Sequence, residues 1–167
     1  MMNEKSYKIL FLGRLFLGLV FAFSGYTKLI VPVENFRGAI AAYAVIPSVL
    51  IPLIAHAVPW MEFIFGAFLV VGYLPRVSAA MLAGLSWSFV LLIFYTWIAT
   101  GTLPEDCGCF GEGSLIHLKP HEVVLLDIFN TIVGAKLALI SDHPFSLAAL
   151  LKPKGPSAGQ PAPRKSK

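Results

Sequence analysis

The sequence predicts an all-α fold, an integral membrane four-helix bundle with both termini cytoplasmic. Three observations lead there. Apolar residues make up 57% of the 167-residue chain and charged residues only 13%, against roughly half and about a quarter in ordinary globular chains, so a soluble surface could not be covered. Four apolar runs approach the ~20 residues that cross a bilayer core as a helix. Positive charge then gathers on one side of the resulting topology. In hydrocarbon each backbone N–H and C=O must be satisfied within its own segment, which makes these runs helices rather than strands.

Taken in order, residues 1–8 form an N-terminal cytoplasmic segment and residues 9–141 the membrane domain. The first helix, 9–30, reads ILFLGRLFLGLVFAFSGYTKLI and contains Arg14 and Lys28. Its basic start (Lys5, Lys8) and small residues Ser24 and Gly25 suggest a signal peptide. Arg14, the length of the run and the lack of an A-x-A site favour a retained helix. Gly13, Gly18 and Gly25 are expected to let a neighbouring helix approach closely. Residues 31–55 form a long semi-apolar loop lying partly in the interface. Pro47, Pro52 and Pro59 lead into a second helix, 56–74, which holds Glu62. A tight Pro75-Arg76 turn joins it to the third, 77–100, which has no formal charge. The loop at 101–122 is polar, acidic and glycine-rich and carries Cys107 and Cys109. The fourth helix, 123–140, is interrupted by Asp127, Asn130 and Lys136. Residues 142–167 form a cytoplasmic tail, expected to be disordered from 152 onward because Pro, Gly, Ser and Lys dominate it.

The net charge of +4 does not mark a nucleic-acid-binding face, because five of the thirteen Lys and Arg fall between Lys152 and Lys167. Eight basic residues (Lys5, Lys8, Arg76, Lys152, Lys154, Arg164, Lys165, Lys167) lie on the side of the termini, and Lys28, Arg37 and Lys119 on the other. The cysteine loop is therefore expected to face outward, which in a bacterial inner membrane means the oxidising periplasm.

Two cysteines one glycine apart close a disulfide only as a small strained ring, and Gly108 supplies the backbone freedom for it. Strained, exposed disulfides are the labile and catalytic ones. Two further readings stay open: free loop thiols without a role, or a soft-metal site for Cu(I) or Zn with His117, His121 and His56. Within the helices, depth follows from about 1.5 Å per residue. Lys28 falls ~3–5 Å, Glu62 ~9 Å and Asp127 ~6–9 Å below the outer ends of their helices. These three share the outer third of the membrane, with Lys28 favoured over Arg14 as the partner of Glu62. Plainer readings are a structural salt bridge for Glu62, a helix-start cap for Asp127, and headgroup snorkelling for Arg14 and Lys28. Trp60, Trp87, Tyr95 and Trp97 read as interface belt or packing.

Gly13-Arg14-Leu15 followed by Ser24-Gly25-Tyr26-Thr27-Lys28-Leu29 resembles the first helix of DoxX-type membrane proteins, and Pro59-Trp60-Met61-Glu62 with Gly66 resembles their second. Cys107-Gly108-Cys109-Phe110-Gly111, with Asp127 in the next helix, is similar to the MauE (methylamine utilisation) branch over roughly residues 8–141. The resemblance implies a four-helix inner-membrane protein that supports maturation of an exported, disulfide-containing protein of the methylamine dehydrogenase type, beside a thioredoxin-like periplasmic partner. Carried over, Cys107 and Cys109 are the redox pair, and Arg14, Lys28, Glu62 and Asp127 the charged helix positions.

The function expected from this is thiol–disulfide exchange at Cys107 and Cys109. Glu105, Asp106 and Glu112 disfavour the thiolate, whereas Lys119, His117 or His121 would counter them. A second cysteine pair on the cytoplasmic side is absent from the sequence. A quinone is therefore the candidate electron carrier, with Lys28, Glu62 and Asp127 as a quinone or proton site by fold-level analogy. The alternative is a non-enzymatic accessory subunit that docks and stabilises a partner.

Overall fold

The computed structural model describes residues 4–103 and 119–140. Cys107, Cys109, His117 and the tail lie outside the described residues. The described chain is helical: α1 (Glu4–Ile30), α2 (Val33–Ala41), α3 (Ile51–Val71), α4 (Pro75–Thr100) and α5 (Pro120–Leu139). Three helices, α1, α3 and α4, are long and apolar enough to cross a membrane.

Each long helix has one buried stripe at helical spacing, and the stripes hold the polar residues. On α1 the stripe is Arg14, Leu17, Phe21, Ser24 and Lys28; on α3 it is Ala55, Pro59, Glu62, Gly66 and Leu69; on α5 it is Val123, Asp127, Asn130, Gly134 and Leu137. The opposite face of α1, at Leu12, Phe16, Leu19, Phe23 and Ile30, is exposed and apolar. This reverses the amphipathic pattern of a water-soluble helix and suits lipid outside with polar groups inside. Trp60, Trp87, Tyr95 and Trp97 all face outward.

Glycine sets how closely the helices approach. A Cβ on Gly66 would stand 2.5 Å from the Ala22 backbone nitrogen, and one on Gly25 would stand 2.5 Å from that of Phe63. The backbones of α1 and α3 are therefore in direct contact, as small residues permit in membrane helices. The α4–α5 pair is similar: a Cβ on Gly134 would meet the Ala83 Cβ at 2.9 Å and the Ala79 carbonyl at 3.0 Å. Between the two pairs, Leu17, Phe21, Leu69, Ala79, Leu82 and Leu137 form an apolar core.

Several boundaries differ from those expected: α1 begins at Glu4 and not at 9, and α5 at Pro120 and not at 123. The loop at 31–55 contains α2, which begins after Pro32 and buries Phe36, Ala39 and Ile40 against Ala55. The second long helix starts at Ile51, so Pro52 opens it and Pro59 lies inside it. Proline is tolerated there because neighbouring helices compensate for the lost hydrogen bond. The α3–α4 turn lies at Gly72–Leu74, not at Pro75-Arg76. Gly72 takes the left-handed conformation (φ 77°) that ends α3, and Pro75, which needs no N–H partner, starts α4. Arg76 then donates from Nε to the Ala138 carbonyl at 3.1 Å, satisfying an acceptor at the end of α5.

Candidate functional site

Lys28 and Glu62 meet where the stripes of α1 and α3 face each other. Lys28 Nζ donates to both carboxylate oxygens of Glu62, each at 2.7 Å, and to Ser24 Oγ at 3.2 Å. Ser24 Oγ itself donates to Glu62 Oε2 at 3.1 Å. An ammonium has three N–H donors, and all three are used. Both charged side chains are about 98% buried or more. A pair this deep repays its desolvation only because the remaining polar atoms are hydrogen-bonded as well.

Aromatic rings complete the enclosure. Lys28 Nζ stands 5.0 Å from the Phe36 ring centroid and 5.9 Å from that of Phe89. Phe36 belongs to α2, so the short helix absent from the sequence reading covers the ion pair.

α5 brings Asp127 and Asn130 to the same place. Together with Ser24, Lys28, Glu62 and Phe89 they border an internal cavity of about 30 Å³. That volume accommodates a water and not a quinone ring. Asp127 lies within electrostatic reach of Glu62 and Lys28, and its carboxyl sits beside the Ser86 hydroxyl without the geometry of a hydrogen bond. Among the described residues, Asp127 Oδ2, Asn130 Oδ1 and Ser86 Oγ are buried and have no hydrogen-bond partner.

The three helix residues singled out from the sequence thus converge, and the favoured Lys28–Glu62 pairing is the one present. Arg14 does not join them. It is fourteen residues before Lys28, roughly 21 Å along the helix, and is buried, with its guanidinium 5.2 Å from the Phe11 ring centroid. The headgroup-snorkelling reading of Arg14 and Lys28 does not hold, since both are 3% exposed. Sequence reasoning did not assign Ser24, Ser86 and Asn130 to the site. The available signal was spacing: Ser24 lies one turn before Lys28, and Asn130 three residues after Asp127 on the same face.

Flanking the cysteine segment, Leu103 and His121 border an apolar groove of about 580 Å³ between α4 and α5, lined also by Trp87, Phe94, Trp97 and Ile128. His56 is exposed, with Nδ1 2.8 Å from the Pro52 carbonyl oxygen. Among the described residues no three His, Cys, Asp or Glu side chains gather as a metal site.

The family model described as "Methylamine utilisation protein MauE" matches residues 6–140. No curated protein and no solved structure matches the chain.

Proposed function

Since the chain belongs to the MauE family, we propose that it is a multi-pass inner-membrane protein that supports maturation of an exported, disulfide-containing client by thiol–disulfide exchange at Cys107 and Cys109. The client is of the methylamine dehydrogenase type, and the exchange partner is a thioredoxin-like periplasmic protein. α5 is the fourth span: its 20 residues reach about 30 Å, and Asp127 on its stripe is shielded by the bundle. Both termini are then cytoplasmic and the 104–118 segment periplasmic. Supporting this orientation are the eight basic residues on the terminal side against three on the other.

In the exchange, one thiolate attacks a sulfur of the partner's disulfide and displaces the other as a thiolate. The second cysteine then attacks the mixed disulfide, leaving Cys107–Cys109 oxidised and the partner reduced. The reverse sequence oxidises the partner. Two electrons and two protons are exchanged with a membrane quinone to reset the pair. The groove bordered by Leu103 and His121 has the volume for a quinone ring, and these two residues stand on either side of the cysteine segment in the sequence. Lys28, Glu62 and Asp127 lie deeper and serve the proton.

The observation that carries this reading is the Cys-Gly-Cys element, inserted between α4 and α5 of a chain matched by the family model through the end of α5. A chain with Cys107→Ser and Cys109→Ser should lose client maturation while still inserting and folding. Wild-type maturation by that double variant would reject the redox role in favour of an accessory subunit. Cys109→Ala and Cys107→Ala, tested singly, should trap a mixed disulfide that names the partner.

A further inference from the structure

The buried polar cluster has an imbalance that the redox reading does not explain. Glu62, Lys28 and Ser24 form a closed unit in which every ammonium N–H is spent and the charges cancel. Asp127 stands next to this unit with no cation bonded to it among the described residues, although it is only 8% exposed. Across the elements packed here, the ionisable groups facing Asp127 are Lys28 on α1 and Glu62 on α3, while α4 contributes the Ser86 hydroxyl. An ionised Asp127 would leave a net negative charge in a low-dielectric bundle, the costliest state for a buried carboxyl.

Hydrogen-bond stoichiometry points the same way. The unpartnered atoms are Asp127 Oδ2, Asn130 Oδ1 and Ser86 Oγ. The Asn130 oxygen is an acceptor only, the Asp127 oxygen is an acceptor unless protonated, and only the hydroxyl brings a donor. Among these three atoms donors are short, not acceptors. A proton on Asp127 supplies one donor, and a water in the cavity supplies two more. The cavity meets the conditions for such a water, being about 30 Å³ and bordered by more than two polar side chains. Asn130, 2% exposed, borders it with its free carbonyl oxygen.

We propose that Asp127 is a proton-binding site inside the bundle, taking up and releasing one proton through a water held between Asp127 and Asn130, while the Lys28–Glu62 pair stays ionised. The ligand is a proton, and the O–H bond that forms or breaks is on the Asp127 carboxyl. The proposal deepens the proton role given above to this cluster by placing the transferable proton on Asp127, and it is tested without reference to the cysteines.

Infrared difference spectroscopy of the full chain in lipid nanodiscs, recorded between acidic and alkaline buffer, tests it directly. The expected result is a carbonyl stretch from a protonated carboxylic acid that shifts in D₂O and disappears in Asp127→Asn. That variant should melt close to wild type, because a neutral amide replaces a neutral acid of the same shape. Ser86→Ala removes the hydroxyl beside the carboxyl and should move the band without abolishing it. Three results would overturn the proposal: no such band in the wild type, a band indifferent to both substitutions, or a band that vanishes when sodium is added at constant pH. The last would make the cluster a site for a metal cation instead.

Discussion

The two ends of the bundle are packed by opposite means. Toward the Gly72–Pro75 turn, Leu17, Leu69, Leu82 and Leu137 interlock, with Arg14 as the one buried charge there among the described residues. Toward the opposite end, the same helix stripes present Ser24, Lys28, Glu62, Asp127 and Asn130. The helices are continuous through both, so the change from apolar to polar follows the identity of the residue at each stripe position and not a break in structure. Apolar packing has no directional requirement and tolerates small shifts. The polar end holds together only while each charge keeps its partner.

The comparison can be broken most severely at the polar end. Glu62→Ala leaves the Lys28 ammonium buried without its carboxylate and should cost about 3–5 kcal/mol. Adding Lys28→Met should recover most of that loss, as measured by unfolding in detergent. A double variant no more stable than Glu62→Ala alone would show that the pair is not the energetic unit described. At the junction of the two ends, Gly66→Ala pushes a methyl against the Ala22 backbone and should cost about 1–3 kcal/mol. Gly84→Ala, where a Cβ meets nothing within 4 Å, should leave stability unchanged or raise it by about 0.5 kcal/mol; equal melting shifts for the two would contradict the close α1–α3 approach. Smallest of the losses is Arg76→Leu at the apolar end, which removes the bond to the Ala138 carbonyl and should cost about 1 kcal/mol, seen as faster amide exchange confined to the last turn of α5.

The long helices were legible in the sequence because hydropathy and length act over many residues. The Lys28–Glu62 pairing was legible because a fixed rise per residue turns sequence position into depth. What failed was local. VENFRGAIA carries Glu34, Asn35 and Arg37 within nine residues, so its apolar Phe36, Ala39 and Ile40 read as loop rather than as one face of a short helix. Pro52 reads as part of the approach to a helix beginning at 56, yet it occupies the first turn of a helix that begins at Ile51, where a missing N–H costs nothing. Serine and asparagine are common in membrane helices as interhelical contacts, so Ser86 and Asn130 stand out only once Asp127 and the cavity are located beside them.

The placement of the ion pair has a consequence for biosynthesis. Both of its charges reside on α1 and α3, the first two long helices to leave the ribosome, so each can neutralise the other before α4 has entered the lipid or α5 has packed. The nascent chain never has to keep a lone ammonium in hydrocarbon while it waits for its last helix. Asp127 is synthesised afterwards and arrives beside a partnership already made.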